Sequence, residues 1–596
     1  MDPYTPTFEP LAPLAPSEGA DHSLLSTVAG QQTPVAATRE AAWAHASTAS
    51  AVAATVAGST ALSACGGGGG AAPAISTPSA TGPTVAGPSA SIPITAERAA
   101  RFLIQAAFAA TDGQIARVQT LGYSAWLDEQ FAMPRSLSHW DSMDSKGYQV
   151  VANVDNFNGF ENSLWRKLIS SPDALRQRMT LALSEIFVVS VVGLPVAWRG
   201  FLAAGYVDLL ETHAFGNYRQ LLQEVTLSPA MGVYLNMRGN QKANAATGRL
   251  PDENYAREVM QLFSIGLVEL EPDGTLKGSK AQETYNAQTI SNLARVFTGW
   301  DLDGSNRTEA GYTRRPMVNL PARYDTDAKT ALGTTIAAGV PAAQALQTTL
   351  DTLARHPNVA PFISRQLIQR FVTSAPTPGY VGRVSAVFND NGQGQRGDFK
   401  AVIKAMLLDE EARRDPSPLD TARGRLQEPV ARFIQWARTF SLGSPTELWN
   451  IGSTADPVTR LGQSPMRSPT VFNFFRPGYV PPNTELGRQG VTAPEFDITD
   501  ESTTVGWVNF AQTFVASGVG ETRPSYIAEV ALAGDAAALV QRVARLLAPG
   551  SLSASTQALI TQAVGAMPAT TDANRLNRVY AAVLLVLAAP EYLVQV

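Results

Sequence analysis

The chain of 596 residues contains one cysteine and five histidines. With Cys65 alone, no internal disulfide can form, and the body of the chain has no thiol for nucleophilic catalysis. His22, His45, His139, His213 and His356 show no ligand spacing, so a His-rich metal site is not expected. Charge is also sparse. Charged residues make up 16% and the formal net charge is −5, which excludes a bulk pull toward nucleic acid. No stretch reaches the roughly 18 apolar residues that a membrane-spanning helix needs. Gly-x-Ser-x-Gly, His-Glu-x-x-His, a Walker loop and a dinucleotide-type glycine pattern following a strand are all missing. Asp301 and Asp303 hint at a calcium loop, but Gly304 is misplaced for an EF-hand. Neither a cofactor nor a metal is expected.

What is present divides the chain. Residues 41–96 carry no Asp, Glu, Lys or Arg and are dominated by Ala, Gly, Ser, Thr and Pro, a composition that cannot bury enough apolar area to fold. Within them, Leu62-Ser63-Ala64-Cys65 resembles a bacterial lipobox, preceded by the uncharged run 51–64 as a weak signal core. Fifty residues precede that run, where a short basic segment is usual. The reading is a leader and export signal over 1–64, a tether over 65–92, and a folded body over 93–596. Lipid on Cys65 would place the protein in the periplasm or at the outer membrane, attached to the membrane through that anchor.

The body reads as mainly α: one large multi-helix globular unit with long loops. Hydrophobic residues are 45% of the chain and strand signals are scarce. A short hairpin over 311–316 or 318–324 is the exception. Residues 251–266 predict a helix that Gly266 stops. On its wheel, Glu253, Asn254, Arg257, Glu258, Gln261 and Ser264 share a polar arc. Residues 173–189 predict another helix, with Arg178 and Glu185 at nearly the same angle on an apolar face. The two lie about 10 Å apart along the axis, too far for an ion pair, so each needs a partner from another element. The expected partners are Arg257 for Glu185, and Glu258 or Glu253 for Arg178. Helix 360–372 has no clean polar face, which predicts that Arg365 or Arg370 is buried and paired. Arg295 and Trp300 belong to helix 288–300. Glu428 and Arg432, at i,i+4, are expected to pair within helix 425–440. The aromatic loop 465–482 either packs on the body or lines a cleft.

Carboxylate–arginine chemistry is what these residues could support. Glu185, Glu253 and Glu258 are candidate acids or bases. Arg178, Asn254, Arg257, Arg295, Trp300, Arg365 and Arg370 form the candidate binding network. A buried ion network without turnover fits the same residues.

Several stretches together resemble the bacterial family DUF1800. They are Ala100-Arg101-Phe102-Leu103-Ile104-Gln105-Ala106, Leu175-Arg176-Gln177-Arg178 with Ala182-Leu183-Ser184-Glu185-Ile186-Phe187, and Glu253-Asn254-Tyr255-Ala256-Arg257-Glu258. Phe297-Thr298-Gly299-Trp300, Val471-Phe472-Asn473-Phe474-Phe475 with Pro477-Gly478-Tyr479, Ala493-Pro494-Glu495-Phe496 and the stretch 583–593 complete the set. Members often show His-Asp before Lys and Leu-Gly, where this chain has Tyr324-Asp325 before Lys329 and Leu332-Gly333. The resemblance implies export and a partner from the exported DUF1501 family. It implies no reaction. The sequence thus leaves two functions open: a binding or assembly protein of the envelope, or a hydrolase or lyase acting on an envelope or extracellular polymer.

Overall fold

The computed structural model describes residues 93–416 and 423–596. Cys65 and the spans read from sequence as leader and tether lie outside the described residues. Within them are 24 α-helices and six strands of two or three residues, so the body is mainly α. The strands form three antiparallel pairs: Trp300–Asp301 with Val318–Asn319, Lys329–Ala331 with Thr334–Ile336, and Arg425–Leu426 with Val594–Gln595. The expected hairpin at 311–316 is a 3-10 turn, Gly311–Arg314, and Val318 pairs backward to Asp301 instead. The true hairpin turns at Leu332-Gly333, where a two-residue loop fits the strand twist.

Local chemistry sets the helix boundaries. Thr95 caps the Ala96–Ala107 helix by accepting from the Arg98 amide. The helix expected from residue 251 starts later, at Asn254. The Asp252 carboxylate takes the Asn254 amide at 2.8 Å, and this holds the preceding residues in a turn. Past its end, the amides of Ile265 and Gly266 both close on the Met260 carbonyl, at 2.9 and 3.0 Å. The span expected as helix 425–440 divides. Pro429 disfavours helix at Glu428, so Arg425–Leu426 is a strand and the helix is Pro429–Thr439.

One contiguous apolar core joins the helices. Ala174–Ile186 lies inside it, packed against Ala96–Ala107, Arg199–His213 and Val359–Phe371. Toward the C-terminus, Glu501–Ser517 and Ala536–Leu547 pack on Asp572–Ala588. The chain end then returns to pair Gln595 with Arg425.

Gly299 sits at φ 84° between the Ala287–Val296 helix and the strand at Trp300. A Cβ there would lie 3.0 Å from the Tyr324 amide nitrogen and 3.1 Å from the Leu320 carbonyl oxygen. Gly299→Ala is therefore expected to lower stability by about 2–3 kcal/mol, measured by urea unfolding.

Candidate functional site

Arg178 and Glu185 project two turns apart from the Ala174–Ile186 helix, and both are buried. Their partners come from three other segments. Val359–Phe371 brings Arg370, the strand Arg425–Leu426 and the residues after it bring Arg425 and Glu428, and the 3-10 turn Pro494–Ile498 brings Glu495. Every one of these side chains is at most 5% exposed.

The end of the Val359–Phe371 helix is the anchor. The Arg370 carbonyl accepts from the guanidiniums of both Arg178 and Arg425. A helix C-terminus presents unsatisfied carbonyls and partial negative charge, so two cations there are favourable. Arg178 also lies over the Phe371 ring, 4.6 Å from its centroid. Burial and the neighbouring Arg425 charge lower the Arg178 pKa to about 10.

The three carboxyls differ. Arg425 Nη2 donates to Glu428 Oε1 at 2.5 Å, and Gln463 Nε2 donates to Oε2 at 2.9 Å. Burial opposes ionisation of Glu428, but Arg425 and the hydrogen bonds outweigh it and hold its pKa down at about 2. Glu185 is only 3.4 Å from Arg370 Nε and hydrogen-bonds Glu428. Burial, and then the charge on Glu428, raise its pKa well above the carboxylate range. The ion-pair distance alone would favour a charged Glu185. We assign it the proton, because Glu428 holds the closer arginine and two adjacent carboxylates cannot both ionise at low cost. Glu495 accepts from Ser374 Oγ at 2.8 Å and sits 3.4 Å from Arg425 Nε; burial raises its pKa.

Glu185 also borders a crevice with Ser184, Gln463, Met466, Ser468 and Asn473. Its free volume is about 10 Å³, room for one water molecule. The Asn473 amide nitrogen is buried there without a hydrogen bond. This is where the aromatic loop packs on the body.

The Glu253-Arg257-Glu258 arc does not supply the partners. Glu253 and Arg257 pair with each other at 3.6 Å and are 42% and 37% exposed. Glu258 is buried near Tyr234, and Asn254 is at the helix start. None of these charges is among the groups that act most strongly on Arg178 or Glu185. Arg295 holds Asp325 with two bonds of 2.9 Å, and Lys329 lies 3.5 Å from the same carboxylate. Trp300 is buried in its strand. Arg365 makes no hydrogen bond or ion pair among the described residues, and burial alone lowers its pKa. Arg432 does not pair with Glu428; it lies 4.2 Å from the centroid of the Trp507 ring. Asp301 and Asp303 are taken by Arg238, Arg323 and Arg315.

A second buried cluster was not apparent from the sequence. His139, Asp208 and Glu211 bring ligand-type atoms within 4.8 Å of one another. The donors are already engaged. Lys167 Nζ sits 2.5 Å from Glu211 Oε2 with both side chains fully buried, and Gln177 Nε2 donates to Oε1 at 3.1 Å. The two oxygens of Asp208 accept from the amides of His139 and Trp140, at 2.7 and 2.9 Å. Lys167 thus supplies the positive charge a metal ion would bring, and the set does not fit a second cation. The available signal was Asp208 and Glu211 at i,i+3 on Arg199–His213.

The family model described as "Protein of unknown function (DUF1800)" matches residues 101–594. The chain belongs to the DUF1800 family. No curated protein and no solved structure matches it. In this DUF1800 protein, stretches far apart in sequence meet at the network. Arg178 and Glu185 come from one, Asn473 from a second and Glu495 from a third.

Proposed function

We propose that this DUF1800 protein is an exported, lipid-anchored component of the bacterial envelope that acts by binding or assembly. The observation that carries this reading is the closure around Glu185. The candidate acid faces free space of about 10 Å³, so it meets a water and no substrate-sized group. The candidate carboxylates also lie apart, with Glu253 paired to Arg257 outside the network. Leu62-Ser63-Ala64-Cys65 supports the anchor, and the partner is an exported protein of the DUF1501 kind.

One observation favours a second reading, a carboxylate-dependent hydrolase or lyase on an envelope polymer. Glu185 and Glu428 form a protonated–ionised carboxyl pair, the arrangement used for acid–base work. Glu185→Gln separates the two readings. Binding predicts a variant that folds, captures its partner from the native host and retains the cellular phenotype. A folded variant that loses the phenotype but still captures its partner would favour the enzyme. For the anchor, globomycin treatment is expected to shift the protein's mass; an unchanged mass with no lipid on Cys65 would remove it.

A further inference from the structure

Apart from the residues around Glu185, an open pocket of about 470 Å³ sits where the folded body begins. That volume is in the range of small-ligand sites. Arg98 and Arg101 line it from the first turns of the Ala96–Ala107 helix, with Glu97, Asp415, Pro549 and Gly550.

The charges there do not balance. Arg98 holds Asp415 through Nε, at 3.0 and 3.2 Å, and through Nη2. Arg101 reaches the same carboxylate only at 3.3 Å and gives its other contact, at 3.0 Å, to the Arg413 carbonyl. Its side chain is 6% exposed, and its Nε has no hydrogen bond. Behind it, Arg413 lies 5.1 and 5.5 Å from the centroids of the Phe102 and Tyr123 rings. It donates to Gln105 and makes no ion pair among the described residues, where its Nε and Nη1 are buried without hydrogen bonds. Glu97 is exposed and outside this set of contacts. Among the described residues, two guanidiniums thus share one carboxylate, with a third guanidinium behind them, and that carboxylate is 50% exposed. Buried cations without counter-charge are costly, so among the described residues the site is short of an anion.

We propose that this pocket binds a phosphate group, gripped by Arg98 and Arg101 with Asp415 giving way. A phosphate carries up to two negative charges and three acceptor oxygens, which suits two planar forks better than a second carboxylate does. The organic part of a phosphate ester would fill the rest of the pocket. A free phosphate compound and a phospholipid headgroup share this chemistry. The site stands whatever Cys65 carries.

The test uses the full chain as Cys65→Ser, so that no anchor contributes. Calorimetry with inorganic phosphate and flotation with phosphatidylcholine vesicles, with and without phosphatidic acid, are run in parallel. Arg98→Gln and Arg101→Gln are expected to weaken binding about tenfold. Asp415→Asn, which removes the competing carboxylate, is expected to tighten it. Phosphate binding that follows this pattern assigns a free ligand. Retention only by phosphatidic acid vesicles, lost in Arg101→Gln, assigns a headgroup. Arg98 is partly exposed, so Arg98→Gln gives a folded variant, checked by thermal melting, should Arg101→Gln unfold. No binding of either probe, or binding indifferent to Arg98→Gln and Asp415→Asn, overturns the proposal.

Discussion

Glu428→Gln is expected to destabilise the protein by about 3–5 kcal/mol, and Glu185→Gln by less than about 1 kcal/mol. The two glutamates hydrogen-bond each other and are equally buried, so burial alone predicts equal effects. Their protonation states separate them. Glu428 is the ionised partner of Arg425, and its amide would leave a guanidinium uncompensated in the core. Glu185 already holds a proton, so glutamine keeps its size, its neutrality and a donor toward Glu428. Acid titration gives the same contrast. Glu428 has its folded pKa lowered to about 2, so its contribution is present above the ordinary carboxylate pKa and is lost as pH falls toward 2. From that shift the contribution is about 3 kcal/mol. Glu185 has a raised folded pKa, so its contribution is full below the ordinary value and erodes as pH rises. Glu185→Gln should therefore flatten the alkaline side of the stability profile and leave the acid side unchanged. Urea unfolding across pH measures both. Equal losses in the two variants would refute the assignment of the proton.

The need for this network was legible before its members were. Two charges on the apolar face of one helix require partners elsewhere, because isolated burial is too costly. Which partners was not legible. A helical wheel separates polar from apolar arcs, but it does not say which polar arc is buried. Glu253 and Arg257 satisfy each other and stay partly in solvent. The true partners, Arg425 and Glu428, lie just before Pro429, Arg425 in a strand that ends at Leu426 and Glu428 at the cap of the helix that Pro429 begins. Read as one continuous helix, that stretch pairs Glu428 with Arg432. The pairing of Gln595 with Arg425 depends on the final residues returning across the body, which no local pattern encodes. The mainly helical architecture was legible, because a periodicity of 3.6 needs only neighbours in sequence. His139, Lys167 and Glu211 went unnoticed for the opposite reason. Each lies on a different helix, and none looks anomalous there.

That second cluster gives the other large expected effect. Lys167→Met should lower stability by about 3–5 kcal/mol, because it leaves the Glu211 carboxyl fully buried without its counter-charge beside Asp208. Lys167→Met combined with Glu211→Leu should recover most of the loss, since a buried pair replaced by apolar groups of similar volume is often neutral. The recovery will be incomplete, because Gln177 Nε2 donates to Glu211 Oε1 and keeps only its longer bond to Asp173. A double-mutant cycle measured by urea unfolding gives the coupling directly. Additive losses from the two substitutions would mean that the ammonium and the carboxylate act separately. The cycle has a titratable companion. Burial raises the Asp208 pKa to about 6, and the Lys167 charge is one of the groups opposing that rise. A raised folded pKa means that the contribution of Asp208 is full below the ordinary carboxylate range and declines as pH rises through about 6. Removing the ammonium in Lys167→Met raises that pKa further, so the decline extends to higher pH. A carboxyl carbon titration of Asp208 in the parent and in Lys167→Met would read the displacement directly. An unmoved midpoint would mean that Lys167 neutralises Glu211 alone.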